Sequence, residues 1–432
     1  MHPAGLDLQQ APPISVPFRF FVTAPLFAVL ASIVMLWHGE GVFLSRWSPA
    51  TLATVHLLTL GMMTMVMTGA MIQILPVLAG VAVPRPKLVA AIVHSALVLG
   101  TLLFAGGFLF AQPLLLKIAV TILGAGLTVF LVVTCGVLLR TPNPTPTVVA
   151  IGLATVAFGV TLLFGVTLGA SRAWGIALPS MSLRDLHPGW GLIGWTGLLV
   201  AGVAYQVVPM FQITPNYPRW LMRGFAASVF AGLALLTIAQ WQTDGTGWQW
   251  LSLICIGLLA SAYILFAGVT IYVQQKRRRR LPDQTLEFWR LGMICMALAA
   301  LLWVSQRFAV LTFPQADVLL GVLAIFGAAM SFIRGMLCKI VPFLAWFHLQ
   351  SSMGIGGTLP NMKSMLPEKA QRLQLRLHQA ALALCIAAAL FPSVFAYPAG
   401  LFFGVASVSV FWNVISVVRL FRDFNSRQVH AV

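Results

Sequence analysis

The sequence predicts an all-α, polytopic membrane protein: twelve transmembrane helices in three pseudo-threefold four-helix repeats. Three observations predict it. The 432 residues are 59% hydrophobic and only 8% charged, with a mean hydropathy of +0.94, whereas a soluble domain carries about 25% charged residues. Twelve apolar stretches each approach the roughly 20 residues a helix needs to cross hydrocarbon. A glycine–proline pattern recurs three times at a constant interval. A transmembrane β-barrel is excluded, because its strands alternate polar and apolar residues over about ten positions.

The spans follow in order. Residues 1–17 carry no basic n-region, so the apolar run near 18–37 reads as a membrane helix and not a cleaved signal. The second span, 51–79, holds the first copy of the pattern, and spans at 88–110 and 114–139 complete a first unit of about 18–140. Spans at 147–169, 187–212, 220–241 and 248–273 form a second unit, 147–274, with the second copy at 187–212. Spans at 288–309, 317–345, 376–395 and 398–421 form a third, 288–421, with the last copy at 317–345. The longest connection, about 348–375, is rich in Gly, Ser and Pro, and residues 1–432 read as a single transmembrane domain.

Basic residues set the expected orientation. With both termini in the cytoplasm, that side receives 21 Lys and Arg residues, Arg334 and Lys339 among them. The other side keeps 5, namely Arg46, Lys117, Arg172, Arg184 and Arg307. This is the positive-inside bias of a bacterial-type inner membrane protein. It accounts for the net charge of +17 without a nucleic-acid partner, and makes the run Lys276 to Arg280 an anchor beside anionic lipid of the bilayer. The five cysteines all lie in apolar segments without a C-x-x-C pair, which argues against disulfides or a thiolate cluster.

The repeated pattern is G-x7-G-x6-P. It reads Gly61, Gly69 and Pro76; then Gly194, Gly202 and Pro209; then Gly327, Gly335 and Pro342, each copy displaced by 133 residues. Small residues alone would permit close helix packing, but do not explain a shared offset. The interval holds four spans, an even number, so the copies run parallel about an axis along the membrane normal. The prolines are expected to end or kink each helix near the cytoplasmic face. Gln73, Gln206 and Lys339, three residues before them, are expected to snorkel or to bond the freed carbonyls.

Twelve helices in three four-helix arcs, with His56 in TVHLLTLG on the second span and His187 in DLHPGWGLIGW opening the sixth, resemble the catalytic subunit of heme-copper oxidases. The resemblance extends to divergent, non-respiratory oxidase-like membrane proteins, including a group tied to nitric-oxide stress. It implies a heme ligand at His56 and a copper ligand at His187. The sequence departs from the family pattern elsewhere. Residues 317–345 and 213–245 contain no histidine, and Gly191 stands where a tyrosine would follow His187 by four. Oxygen respiration is therefore not expected. What the resemblance implies is binding of heme or a metal near the outer face, for redox or gas handling, nitric oxide being the gas concerned.

Read as residues, His38, His56 and His187 all project to the outer third of the bundle, and Glu40 follows His38 by two. Imidazole ligates heme iron and copper well, although each ring could equally hydrogen-bond a neighbouring helix. Met63, Met67 and Met71 share a face with His56, which suits Cu(I) and also ordinary core packing. His94, His348 and His378 lie on the cytoplasmic side, the first as a structural group and the other two as loop or headgroup groups; His2 and His430 belong to the tails. Every Asp and Glu falls in a loop, tail or helix end, which counts against an ion-driven carrier. Two alternatives stay open: a heme-free transporter or copper-handling protein, and a non-catalytic membrane subunit of a larger complex.

Overall fold

A computed structural model describes residues 11–142, 144–242, 246–278, 281, 283–352 and 361–429. Among them there is no strand, and twelve helices are long and apolar enough to cross a membrane. They are α1 (Ser15–Val42), α2 (Pro49–Ala79), α3 (Pro86–Leu109), α4 (Pro113–Leu139), α5 (Pro146–Trp174) and α6 (Leu183–Gln212). The rest are α7 (Arg219–Trp241), α8 (Thr246–Gln275), α9 (Gln284–Arg307), α10 (Ala316–Gln350), α11 (Glu368–Leu390) and α12 (Pro392–Ser426). Proline opens several of them, where its missing N–H is an orphan in any case. At α2 the Ser48 hydroxyl also accepts from the Thr51 N–H at 3.1 Å. The basic run at 276–280, the 348–375 connection, His2 and His430 lie wholly or partly outside the described residues.

Packing follows the chain and then closes. α4 lies on α5, α8 on α9, and α12 returns to α1, so the last helix meets the first. The three helices that carry the glycines are bound to their predecessors by the same device. A Cβ at Gly61 or Gly69 would run into Phe27 or Phe20 of α1. One at Gly194 or Gly202 would meet Ala157 or Ala150 of α5, and one at Gly327 or Gly335 would meet Cys295 or Phe288 of α9. The glycines are thus sites of close backbone approach, as small residues are in membrane bundles.

Each of these helices also widens into π-helical turns around the first glycine: Leu57–Thr64 in α2, Gly189–Gly197 in α6 and Val322–Ala329 in α10. Such turns leave carbonyls without their usual partners. In α6 the Ile193 carbonyl accepts from the Tyr263 hydroxyl of α8 at 2.5 Å. Tyr263 reaches it only because Gly197 has no side chain to block the ring. The π segment of α10 touches those of both α2 and α6.

Several sequence expectations are corrected. Pro76 and Pro209 fall within the last turn of α2 and α6, whereas α10 runs past Pro342 to Gln350, so of the two expected effects Pro342 does not end its helix. The burial of Leu344, Ala345 and Leu349 beyond it offsets the one hydrogen bond a proline removes. Lys339 does not snorkel; its ammonium lies 3.3 Å from the buried Asp283 carboxylate, which also caps α9 by accepting from the Thr285 N–H. Gln73 is buried in α2 and not turned to the surface. Arg334, counted with the cytoplasmic charges, is fully buried within α10, and His378, expected among headgroups, is fully buried on α11.

Candidate functional site

The π segments of α2, α6 and α10 face a common cavity of about 1310 Å³. Its lining runs from Arg46, between α1 and α2, at one end of the bundle (its mouth) to Phe326 of α10 and Phe403 of α12. Ligand pockets typically hold about 300–1,000 Å³, so the space takes a large organic group. The walls are mainly apolar, with Phe104, Phe108, Phe158, Trp195 and Trp303 among them. The widened turns supply part of the room, since a π turn displaces the backbone of its helix sideways.

His56 and His187 both line this cavity. The His56 Nδ1 lies 2.7 Å from the Leu52 carbonyl, one turn earlier in α2. The His187 Nδ1 lies 3.1 Å from the Thr161 carbonyl of α5. A carbonyl can only accept, so in both rings Nδ1 carries the proton and donates. Among the described residues neither imidazole pairs with a carboxylate, and burial in mainly apolar surroundings disfavours a second proton on the ring. The Nε2 lone pair of each is then uncommitted. This is how ligating histidines are held, with one nitrogen anchored and the other free to bind. Phe104 and Phe108 pack on the His56 ring at 4.9 and 6.1 Å between centroids, fixing its plane. On α5, Gly165 leaves room for the His187 ring, where a Cβ would sit 2.9 Å from its Cε1.

At the mouth, ion pairs join three separate connections. Arg46 reaches Asp185 at 2.6 Å and Asp317 at 3.2 Å, and Arg307 reaches Asp185 from its other side at 3.0 Å. Asp185 opens α6, Asp317 opens α10 and Arg307 ends α9. Arg172 and Arg184 also line the cavity at this end.

The remaining predicted residues are distributed unevenly. Met63 lines the cavity, whereas Met67 and Met71 are buried in the packed core and do not reach it. His38 is exposed at the end of α1 beside Trp37 and is not part of the wall, so the structure does not bring it to the other two histidines. His94 bonds the Thr23 hydroxyl of α1 at 2.9 Å, a helix-to-helix tie.

Sequence reasoning missed a second polar centre beneath the cavity floor. Arg334 donates to His378 Nδ1 at 3.2 Å and to the Ser407 hydroxyl at 3.0 Å. His378 Nε2 lies 2.7 Å from the Ser331 hydroxyl. Below, Gln374 bonds both the Arg334 carbonyl and Asn413. The signal was available: Arg334 stands well inside an apolar span, where a charge is costly unless satisfied by its surroundings. Among the described residues no group of three or more His, Cys, Asp and Glu side chains is placed to hold a metal ion. No protein-family profile matches this chain, and no curated protein is detectably similar to it.

Proposed function

We propose that this membrane protein is built from three copies of a four-helix unit on an oxidase-like scaffold, and that its cavity binds heme through His56 and His187 for redox or nitric-oxide handling. The recurring glycine contacts, the three π segments and the closure of α12 on α1 support the repeat. The observation that carries the cofactor reading is a pair of imidazoles, each anchored through Nδ1 to a backbone carbonyl and both lining one large, mainly apolar space.

Donor number favours heme over a bare ion. A structural or catalytic metal ion needs about three or four protein ligands, and this wall supplies two imidazoles with Met63 nearby. A macrocycle brings four nitrogens of its own and asks fewer donors of the protein. His56 would be the leading residue to hold it, with His187 as the second donor. When bound, heme supplies a one-electron redox centre and an iron that takes diatomic gases. The chain's part is to fix the imidazole planes, exclude water with aromatic walls and hold the mouth with Arg46, Asp185, Arg307 and Asp317.

Copper handling without heme is the second reading, favoured by Met63 on the same cavity wall as His56 and weakened by the burial of Met67 in the core. The deciding experiment is an absorption spectrum with metal analysis of detergent-purified protein from heme-sufficient cells. A Soret band that disappears in His56→Ala is the expected result. A wild-type preparation lacking that band overturns heme binding, and stoichiometric copper in the same sample turns the assignment to the second reading.

A further inference from the structure

The charges around the cavity are not balanced. Four arginines line its mouth, Arg46, Arg172, Arg184 and Arg307, against two aspartates, Asp185 and Asp317, and both aspartates are taken up in ion pairs. At the opposite end the floor includes Phe326, Phe403 and Cys385. Directly beneath it lies the guanidinium of Arg334, 5.2 and 5.5 Å from the centroids of the Phe326 and Phe403 rings. Arg334 is fully buried, and among the described residues it meets no carboxylate: its neighbours are neutral, and its Nε has no partner. Buried charges in proteins are normally paired. Here the compensating negative charge is missing from the chain itself.

We infer that the cavity binds a small, weakly hydrated monovalent anion, drawn in by the arginine mouth and held over the Phe326–Phe403–Cys385 floor by the charge of Arg334. A fixed cation one aromatic ring away from an apolar space raises the potential there, because the low dielectric screens it little. Apolar walls favour anions that lose little hydration on entry, while strongly hydrated ones lose more than the floor returns. The inference rests on reading this cavity as a ligand site, and it needs no cofactor at the imidazoles. Arg334 does not touch the cavity directly, so it acts through its field and is a positioning group.

Thiocyanate is a suitable probe, because its C≡N stretch shifts between water and an apolar site. The full chain, purified in detergent with gluconate as the only other anion, is titrated both as isolated and as the double variant His56→Ala/His187→Ala. A saturable second infrared band is expected in both, weakened on the order of tenfold by Arg334→Gln and kept within a few-fold by Arg334→Lys. Cys385→Asp, which supplies an internal counter-charge at the floor, is expected to abolish the band while leaving the protein folded, so the test survives if Arg334→Gln does not fold. The inference is overturned if the wild type shows no saturable band, or if Arg334→Gln or Cys385→Asp binds as well as wild type. Loss of the band in the double histidine variant alone also overturns it, by assigning the anion to the imidazole site. Absence of a Soret band with thiocyanate still bound would defeat the heme reading and leave this one standing.

Discussion

Two polar regions of the same bundle use histidine in opposite ways. On the cavity wall, His56 and His187 give Nδ1–H to a backbone carbonyl and keep Nε2 available. Beneath the floor, His378 accepts from Arg334 at Nδ1, so in the neutral ring the proton sits on Nε2 and goes to Ser331. Both of its nitrogens are spent within the protein. Residue type therefore does not show which imidazole keeps a nitrogen for a ligand; the partners of both nitrogens do. The wall has donors in reserve, and the floor has a cation in reserve.

The largest effects should come from breaking this contrast directly. His56→Ala should remove the heme absorption, leaving less than about a tenth of the wild-type band, with the fold intact by circular dichroism. His378→Ala should do the reverse. It removes a neutral acceptor from the fully buried Arg334 guanidinium, and leaving a buried donor unsatisfied costs about 1–3 kcal/mol, while the cofactor band per folded protein stays unchanged. The two measurements are thermal unfolding in detergent and the spectrum. If His378→Ala loses the band and keeps its stability, the roles drawn here for the two regions are exchanged.

Next come the glycines that let the two regions share one bundle. Gly69→Ala sets a methyl against Phe20, and Gly335→Ala sets one against Phe288. Overpacking of this kind costs about 1–3 kcal/mol, read as a lower unfolding temperature. Gly152→Ala, where a Cβ meets nothing within 4 Å, should be neutral or slightly stabilising, as alanine is the better helix former. Equal behaviour at all three positions would remove the structural meaning of the repeated pattern.

How much of this could be read from the chain divides along the same line. Twelve spans were legible because about 20 apolar residues are needed for each, whatever lies beside them. His56 and His187 were legible as polar residues placed at one end of two such spans. Of the buried centre only Arg334 was legible, as a charge inside an apolar span; the rest was not, because Ser331, His378, Ser407, Gln374 and Asn413 come from three helices. Counting charges by sequence position treats a buried arginine and a loop arginine alike. The π segments were equally hidden, since the bonds that make them good, such as Tyr263 to Ile193, join residues 70 apart. The methionine face on α2 looked continuous by helical spacing, but the wall ends at Met63.

A smaller effect is expected at the mouth. Asp185→Asn removes the charge that both Arg46 and Arg307 meet. These side chains are about one-third exposed, so the pairs are screened and the loss of stability should be about 1 kcal/mol or less, shrinking further as salt is raised. Ligand access should change more than stability: with one negative charge fewer beside four arginines, thiocyanate should bind tighter and not weaker. Unchanged affinity would mean that the mouth does not steer what enters.

The smallest effect separates packing from chemistry on α2 itself. Met67→Leu conserves volume in a packed core, and such exchanges usually cost under about 1.5 kcal/mol. Its thioether lies away from the cavity, so metal content should equal that of the wild type. Met63→Leu is the same exchange one turn nearer His56, on the cavity wall. If copper is the cargo, Met63→Leu should lower the copper content and Met67→Leu should not, because a soft thioether binds Cu(I) only where it can reach the ion. If heme occupies the site, both variants keep the wild-type absorption, and the methionines of α2 are packing groups along their whole length. Loss of copper in Met67→Leu alone would require the helix to turn its buried face into the cavity, which its contacts with α1 through Gly61 and Gly69 oppose.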